Sequence, residues 1–438
     1  MANILVAGAG HGGLVAAALL AKAGYSVVVA EQNPELNLGH DWTDIFSLDT
    51  FKEAGIPLPE RNEYTLAEWM TFFSPSKKRG ISAYIPPDQC EQNMDRRLIL
   101  KHLIAFAKSN GVTILFQTKV LAPILTNNAV TGLILERADG STYTLPCDLC
   151  IDASGMQSSL RAQLPEDWGI IKAFRRDQYF SAFRAFYNQT GKKYLGDPFH
   201  VYFFPLDRQA VAWIASEEEH VDLLCGSFVD TDHKYAEEVR QSLLHLHPEM
   251  GDTIQRGGQV GNIPVRRPIS VMVGNGYVAC GDSAAMTIPI VGAGIANAIR
   301  AGRFLAETIL AVDGFKFDVA SLWQYQVRYM TEIGAIHAPL DVIKNFLLNA
   351  SSKDLNALFE AGVFNQQDMI NARTGSELSY TLLQMGQKAL KGIFHLPLLL
   401  KLNSTLIKSK KLKKHVLAIP KQYDKEAVAR WAAIYDQF

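Results

Sequence analysis

The run NILVAGAGHGGLVAAALLAKAGYSVVVAE, residues 3–31, reads as strand, tight turn, helix and strand in immediate succession. Asn3 to Ala7 is a short apolar stretch of the kind that forms a buried parallel strand. Gly8, Gly10 and Gly13 follow as G-x-G-x-x-G, and small apolar residues then continue at helical spacing. In that context Gly8 permits the tight turn, Gly10 admits a pyrophosphate to the backbone, and Gly13 lets helix pack on strand. The helix start supplies unpaired N–H donors and the positive end of a dipole. Glu31 closes the second strand, where a carboxylate takes the hydroxyls of an unphosphorylated adenosine ribose. The pattern predicts an α/β dinucleotide-binding fold and fits FAD and NAD alike.

A second nucleotide signature lies far downstream, in CGDSAAMTIPIVGAGIANAIRAGRFLAETI, residues 280–309. An apolar strand, Tyr277 to Cys280, runs into Gly281-Asp282, then Pro289, then Gly292 and Gly294 at the head of a long helix. One carboxylate to hold a sugar hydroxyl, followed by bare backbone N–H groups, suits a flavin dinucleotide better than a nucleotide in general.

Between the two signatures the elements alternate. Asp95 to Asn110 reads as a helix with Leu98, Leu103, Ile104 and Ala107 on its apolar side, ended by Gly111. A meander follows: Val120 to Leu125, a turn at Asn127-Asn128, Val130 to Glu136, a turn at Asp139-Gly140, and Ser141 to Leu145. Leu149 to Ala153 returns to the core sheet, and Ser154-Gly155 opens a turn near Arg161. Cys147-x-x-Cys150 sits within an apolar strand without a second pair or clustered histidines, so it reads as core rather than a metal or redox site.

Composition bounds the rest. The chain has 438 residues, 48% hydrophobic, with 43 Lys and Arg against 44 Asp and Glu. Such balance predicts two or three globular domains and no nucleic-acid partner. The opening residues lack a basic n-region and no long uncharged apolar run occurs, so neither signal peptide nor spanning helix is expected. Five cysteines make no disulfide framework and point to a reducing cytoplasm.

On these motifs the chain resembles the para-hydroxybenzoate hydroxylase-type FAD superfamily, and within it the geranylgeranyl reductase and FixC-like branch. The first fingerprint is Gly8, Gly10, Gly13 and Glu31. The second is matched by Asp148, Ile151, Ala153, Ser154, Gly155, Ser158 and Arg161. The third is matched by Gly281, Asp282, Ser283, Ala284, Pro289, Gly292, Gly294, Ile295 and Ala298. The likeness spans residues 3 to 310. It implies that Asp282 holds the ribitol, that Gly292 to Ile295 lie by the pyrimidine end of the flavin, that Arg96 contacts FAD, and that Val120 lies on the adenine side. Met286 stands where many aromatic hydroxylases of the superfamily carry His, and Gly261-Asn262-Ile263-Pro264 resembles the reductase branch. So does His200-Val201-Tyr202-Phe203-Phe204-Pro205 with Trp213, although Tyr202 stands where Trp is usual. Tyr202, Phe204, Pro205 and Trp213 are the substrate-binding residues this implies. The branch's cysteine-containing loop is replaced by Leu38-Gly39-His40-Asp41-Trp42-Thr43-Asp44.

Residues 166–261 alternate apolar and polar positions and are rich in aromatics, which suits a substrate layer over a flavin and equally one sheet's own core. The catalytic groups are unassigned by sequence. His40 with Asp41 can supply a proton or form a plain surface turn, and His200 can orient a substrate or sit as a structural histidine. After residue 330 helices dominate: Pro339 to Ser351, Lys353 to Gly362, Gln366 to Ala372 and Ser376 to Leu390. Ile393 to Ile407 is apolar but interrupted by Pro397 and Lys401, and the basic run Lys408 to His415 follows. Such a pairing either rests on an anionic membrane surface, peripheral to its inner face, or is a solvated helix face.

These readings define a discontinuous FAD-binding domain (1–165 and 262–330), a β-sheet substrate domain (166–261) and a helical C-terminal domain (331–438). The expected function is an FAD-dependent oxidoreductase that reduces carbon–carbon double bonds of a small hydrophobic or lipid-like substrate. NAD(P)H or a redox partner protein such as ferredoxin would be the transient donor, since no second glycine fingerprint follows a strand. An aromatic or polyketide monooxygenase and a FixC-like electron-transfer flavoprotein remain the alternatives.

Overall fold

Asn3–Ala7 forms the centre of a six-stranded sheet, flanked in parallel by Leu149–Asp152 and Ser26–Ala30. Its side chains from Ile4 to Ala7 are buried on both faces, which is why the run is continuously apolar instead of alternating. The strand order is 273–274, 277–279, 149–152, 3–7, 26–30 and 113–115. The computed structural model describes residues 2–192, 196–376 and 395–438. It confirms the α/β class, with Arg96–Ser109 as a helix capped by Asp95, whose carboxylate accepts from the Arg97 N–H at 2.8 Å. The meander is a separate three-stranded antiparallel sheet, Thr118–Thr126, Ala129–Arg137 and Thr142–Pro146. All five cysteines are buried and free.

Helix His11–Lys22 crosses helix Ile295–Leu310 backbone against backbone. A Cβ added to Gly302 would lie 2.1 Å from the Gly12 carbonyl oxygen, and one added to Gly12 would lie 2.4 Å from that of Ala298. The helices that open on the first and third glycine motifs are thereby locked together.

A seven-stranded sheet covers this unit. Its order is 250–264, 179–189, 220–227, 210–216, 199–203, 69–73 and 80–84. Two of its strands, Trp69–Phe73 and Gly80–Tyr84, come from well before residue 166. They were hidden because Phe199–Phe203 joins them through a parallel pairing with no hairpin between. One face packs on helix His233–Leu243; the other carries Val201, Trp213, Leu224 and Arg184 in register and faces the loop around Trp42.

Toward the C-terminus come helices Val319–Tyr329, Ala335–Leu348, Ser352–Glu360 and Gln366–Thr374. The expected start at Pro339 moves back to Ala335, with a π turn at Met330–Gly334 before it. The expected helix at 376–390 lies outside the described residues apart from Ser376. Pro397 does not interrupt the next segment. It occupies the first turn of helix Leu396–Leu417, where its missing N–H has no intrahelical partner to lose. Among the described residues no helix is long and apolar enough to cross a membrane.

Gly302→Ala tests the helix crossing. On an open helix face that change gains up to about 1 kcal/mol; here overpacking against Gly12 should cost about 1–3 kcal/mol. Chemical denaturation that finds the variant as stable as the parent would contradict the packing.

Candidate active site

Three distant segments meet above the six-stranded sheet. Gly8 turns with φ +85° and its N–H donates to the Ala30 carbonyl at 2.8 Å. The Ala153 carbonyl oxygen lies 2.6 Å from where a Cβ on Gly10 would sit, and Val6 and Ala153 crowd the same position on Gly13. Gly13 therefore does pack helix on strand as expected, while Gly10 is also demanded by the second motif. Glu31 is 7% exposed; its Oε2 accepts from the Ala9 N–H and its Oε1 from the Asn33 N–H, both at 2.8 Å. That carboxylate sits at the glycine turn with lone pairs to spare.

Asp152 and Arg161 bind the second segment to the third. Asp152 accepts from Ser154 Oγ at 2.6 Å and from the Tyr277 hydroxyl at 2.7 Å, and also from Ser158 Oγ. The buried Arg161 guanidinium donates to the Met156 carbonyl at 2.7 Å and to the Ser283 carbonyl. Ser283 Oγ donates back to the Asp152 carbonyl at 2.5 Å. Val120, on the meander, turns its carbonyl to Ser159 Oγ at 3.0 Å.

The third segment places Asp282 in the turn Gly281–Ala284. Burial pushes its carboxyl up to about 6, against the pull of Arg96 and with the push of Asp44. Pro289 lies in the tight 288–293 turn, where the Gly292 N–H donates to the Ile288 carbonyl at 2.8 Å and Gly292 holds φ +73°. Gly294 then caps helix Ile295–Leu310 without a side chain, leaving the first-turn N–H groups open. A Cβ on Gly294 would stand 3.4 Å from Asp282 Oδ1.

Arg96 faces the same space. Its guanidinium grips Asp44 with two bonds of 2.6 Å, its own N–H donates to the Trp42 carbonyl at 2.9 Å, and it lies 5.3 Å from the Trp42 ring centroid. His40 stacks on Trp42 with centroids 4.4 Å apart. Burial and the Arg96 charge lower the His40 pKa below its usual value, which favours the neutral imidazole. The predicted His40–Asp41 pairing does not form. Asp41 is held by Arg256 at 2.6 Å and Arg97 at 2.8 Å, and His40 turns to Gln259 instead.

The sheet separates the remaining predicted residues. Trp213 faces the Trp42 cluster. Tyr202 and His200 do not: they point to the opposite face, because strand side chains alternate and Val201 takes the inner side. There Tyr202 OH lies 2.7 Å from His247 Nε2, and His247 Nδ1 lies 2.9 Å from Glu249. Tyr202, expected to bind substrate, thus lies on the face away from the Trp42 cluster, and His200 sits beside it as in the structural alternative. Phe204 leaves the strand at φ 51° and packs among Ala350, Leu355 and Leu398 of the C-terminal region, and Pro205 after it is buried.

Sequence reading passed over His11 and Asp44. His11 occupies the variable position inside the glycine motif and opens its helix, which was the available signal. Its Nε2 is buried without a partner, and burial followed by the Arg96 charge lowers its pKa to about 4. A neutral imidazole with an unsatisfied nitrogen, a glycine cradle, a ribose-ready Glu31 and a desolvated Asp282 together fit an FAD molecule. Among the described residues no group of His, Cys, Asp and Glu could hold a metal ion.

Comparison with known proteins agrees with this geometry. The family described as FAD binding domain matches residues 1–314. The digeranylgeranylglycerophospholipid reductase of Sulfolobus acidocaldarius is 24% identical over 440 residues, covering 96% of this chain and 93% of that protein. The second reductase of that name from Methanopyrus kandleri is 24% identical, covering 86% and 93%. Among solved structures, a geranylgeranyl bacteriochlorophyll reductase-like protein from Thermoplasma acidophilum superposes with a TM-score of 0.72 at 21% identity, over 92% of this chain and 99% of that one. The flavin-dependent brominase Bmp2 superposes with a TM-score of 0.58 at 15% identity, covering 85% and 93%.

His11, His200 and His337 all have pKa values lowered by burial to about 4 from 6.5. Unfolded, they take up protons below about 6.5; folded, only near 4, so stability is lost as pH falls through that window. The Tm should drop by several degrees between pH 7 and pH 5, and His337→Asn should flatten part of that slope. A Tm independent of pH in that range would contradict the assignment.

Proposed function

This chain belongs to the FAD binding domain family and is an FAD-dependent oxidoreductase, and we propose that it saturates carbon–carbon double bonds of a long, apolar, lipid-like substrate. The observation that carries the reading is a continuous run of apolar packing that starts at the 288–293 turn. Ile288, Ile290 and Val291 pack with Leu340, Ile343 and Leu347. Leu347 also joins Phe203, Phe204 and Leu398, and Phe203 in turn joins Phe72 and Val201 on the inner sheet face. Parted by a ligand, these side chains would offer a long apolar substrate a water-excluding surface. The likeness, over 96% of this chain, to a digeranylgeranylglycerophospholipid reductase supports it.

When bound, FAD supplies the hydride chemistry. The chain's own residues do the rest. Gly8, Gly10, Gly13 and the N–H groups they leave open receive the pyrophosphate, with His11 Nε2 as an added donor. Glu31 takes the adenosine ribose, Val120 borders the adenine side, Asp282 and Arg96 flank the ribitol, and Pro289, Gly292, Gly294 and Ile295 border the ring edge. His40, neutral and seated on Trp42, is the group best placed to hold a proton near the inner sheet face; Trp213 lines that face. The donor is NAD(P)H or a small redox protein binding transiently. We read the chain as an FAD-binding part (1–165 and 262–330), a sheet (166–261) and a helical end (331–438), with strands 69–73 and 80–84 pairing into that sheet.

Helix Leu396–Leu417 is the proposed membrane edge, on the cytoplasmic side. Leu398, Leu412 and Val416 turn inward, whereas Leu396, Leu400 and Ile407 are 55%, 60% and 48% exposed beside the lysines at 408, 410, 411 and 414. That apolar edge with cationic flank suits an anionic lipid surface.

Asp282→Ala should cost most of the bound flavin and Glu31→Ala should weaken its retention by about tenfold, read from the visible spectrum. The purified protein should reduce a geranylgeranyl lipid anaerobically. Strict dependence on oxygen, with a hydroxylated product, would replace this reading by a monooxygenase; reoxidation by a partner with no small-molecule product would replace it by an electron carrier. In flotation with phosphatidylglycerol vesicles, Leu400→Ser with Ile407→Ser should reduce binding by about tenfold or more. Equal binding of parent and double variant would remove the membrane edge.

A further inference from the structure

The inner sheet face carries an ion pair that the flavin chemistry does not use. Arg184 and Asp222 are 5% and 1% exposed at their side chains, on neighbouring strands. Arg184 Nε and Nη2 reach the two Asp222 oxygens at 2.9 and 2.5 Å. The remaining donors leave the sheet: Nη1 donates to the Thr43 carbonyl at 2.5 Å and Nη2 to Thr43 Oγ1 at 2.6 Å. Thr43 opens the short strand Thr43–Phe46, directly after the loop that carries His40 and Trp42 and directly before Asp44. The same guanidinium lies 5.2 Å from the Trp213 ring centroid.

We propose that Arg184, oriented by Asp222, is a positioning residue that clamps Thr43 and so sets His40 and Trp42 against Arg96 and the substrate face. The inference rests on the site assignment above but not on which double bond is reduced. A buried ion pair of this kind adds little net stability compared with apolar packing; its geometry adds specificity. Removing either charge leaves the other buried and uncompensated, and burial already pushes the Asp222 carboxyl up against the pull of Arg184. The bidentate fork is one that lysine cannot reproduce. Arg184 fixes one backbone carbonyl and one hydroxyl of the same residue, which sets both the position and the twist of the strand entry. Through Asp44 the constraint passes to Arg96, and through the Trp42 carbonyl to the start of helix Arg96–Ser109.

Thr43→Val tests the clamp with the ion pair left whole, and Arg184→Lys tests the fork. Backbone amide exchange at residues 38–44 should speed by about tenfold in both, with exchange in the six-stranded sheet unchanged. FAD content should stay near that of the parent, whereas kcat should fall and its pH profile should shift as His40 loses its fixed surroundings. KM should move much less than kcat. If Arg184→Lys fails to fold, Thr43→Val alone decides. Unchanged loop exchange and an unchanged pH profile, whatever happens to the Tm, would reduce the pair to a structural contact and overturn the proposal. Loss of flavin from Thr43→Val would instead count against the site assignment on which the proposal stands.

Discussion

Everything in this fold depends on how closely three pieces of backbone approach one another. The carbonyl of Ala153 occupies the space that side chains at positions 8 and 10 would fill, and Gly12 meets Gly302 and Ala298 with no side chain between. Glycine is needed there for closeness as much as for torsional freedom. The Arg161 guanidinium on the Ser283 carbonyl, a charge-assisted bond, and Ser283 Oγ on the Asp152 carbonyl then stitch the second and third segments. The result is a cleft bounded by backbone N–H groups and short turns, which is the surface a pyrophosphate and a sugar alcohol require.

That closeness also sets the electrostatics. His11 and Asp282 lie in a poorly hydrated space, and the charges of Arg96 and Asp44 act on both. Asp282 is raised by desolvation, and His11 stays neutral through the whole physiological range. Arg96 is spoken for by Asp44, which leaves one guanidinium face toward Trp42. A site prepared in this way would suit hydroxyls and a dianionic bridge, as the proposed flavin placement requires.

Much of this was legible in the amino-acid order. The glycine spacing, the acidic strand end, the helix opening at Asp95 and the turns at Asn127-Asn128 and Asp139-Gly140 depend on neighbours along the chain, so local rules suffice. The side of the sheet on which Tyr202 and His200 lie was not, because a one-residue change of register exchanges the two faces and both faces here are apolar. The membership of 69–84 in that sheet depends on a parallel pairing between residues far apart in sequence, Thr71 with His200, which no local rule reveals. Arg184, Asp222 and Thr43 are ordinary residues until three elements bring them together. His11 was visible in the motif but carries no signal until its nitrogen is seen buried and alone.

The central claim is that the three segments hold one flavin dinucleotide. A crystal structure of the chain purified with its flavin tests it most directly. The account predicts pyrophosphate density at the start of helix His11–Lys22, the adenosine ribose on Glu31, and the ribitol beside Asp282 with the ring edge at Gly292 to Ile295. Density for a nucleotide that touches the first segment alone and leaves Asp282 and the 288–293 turn without contact would contradict it.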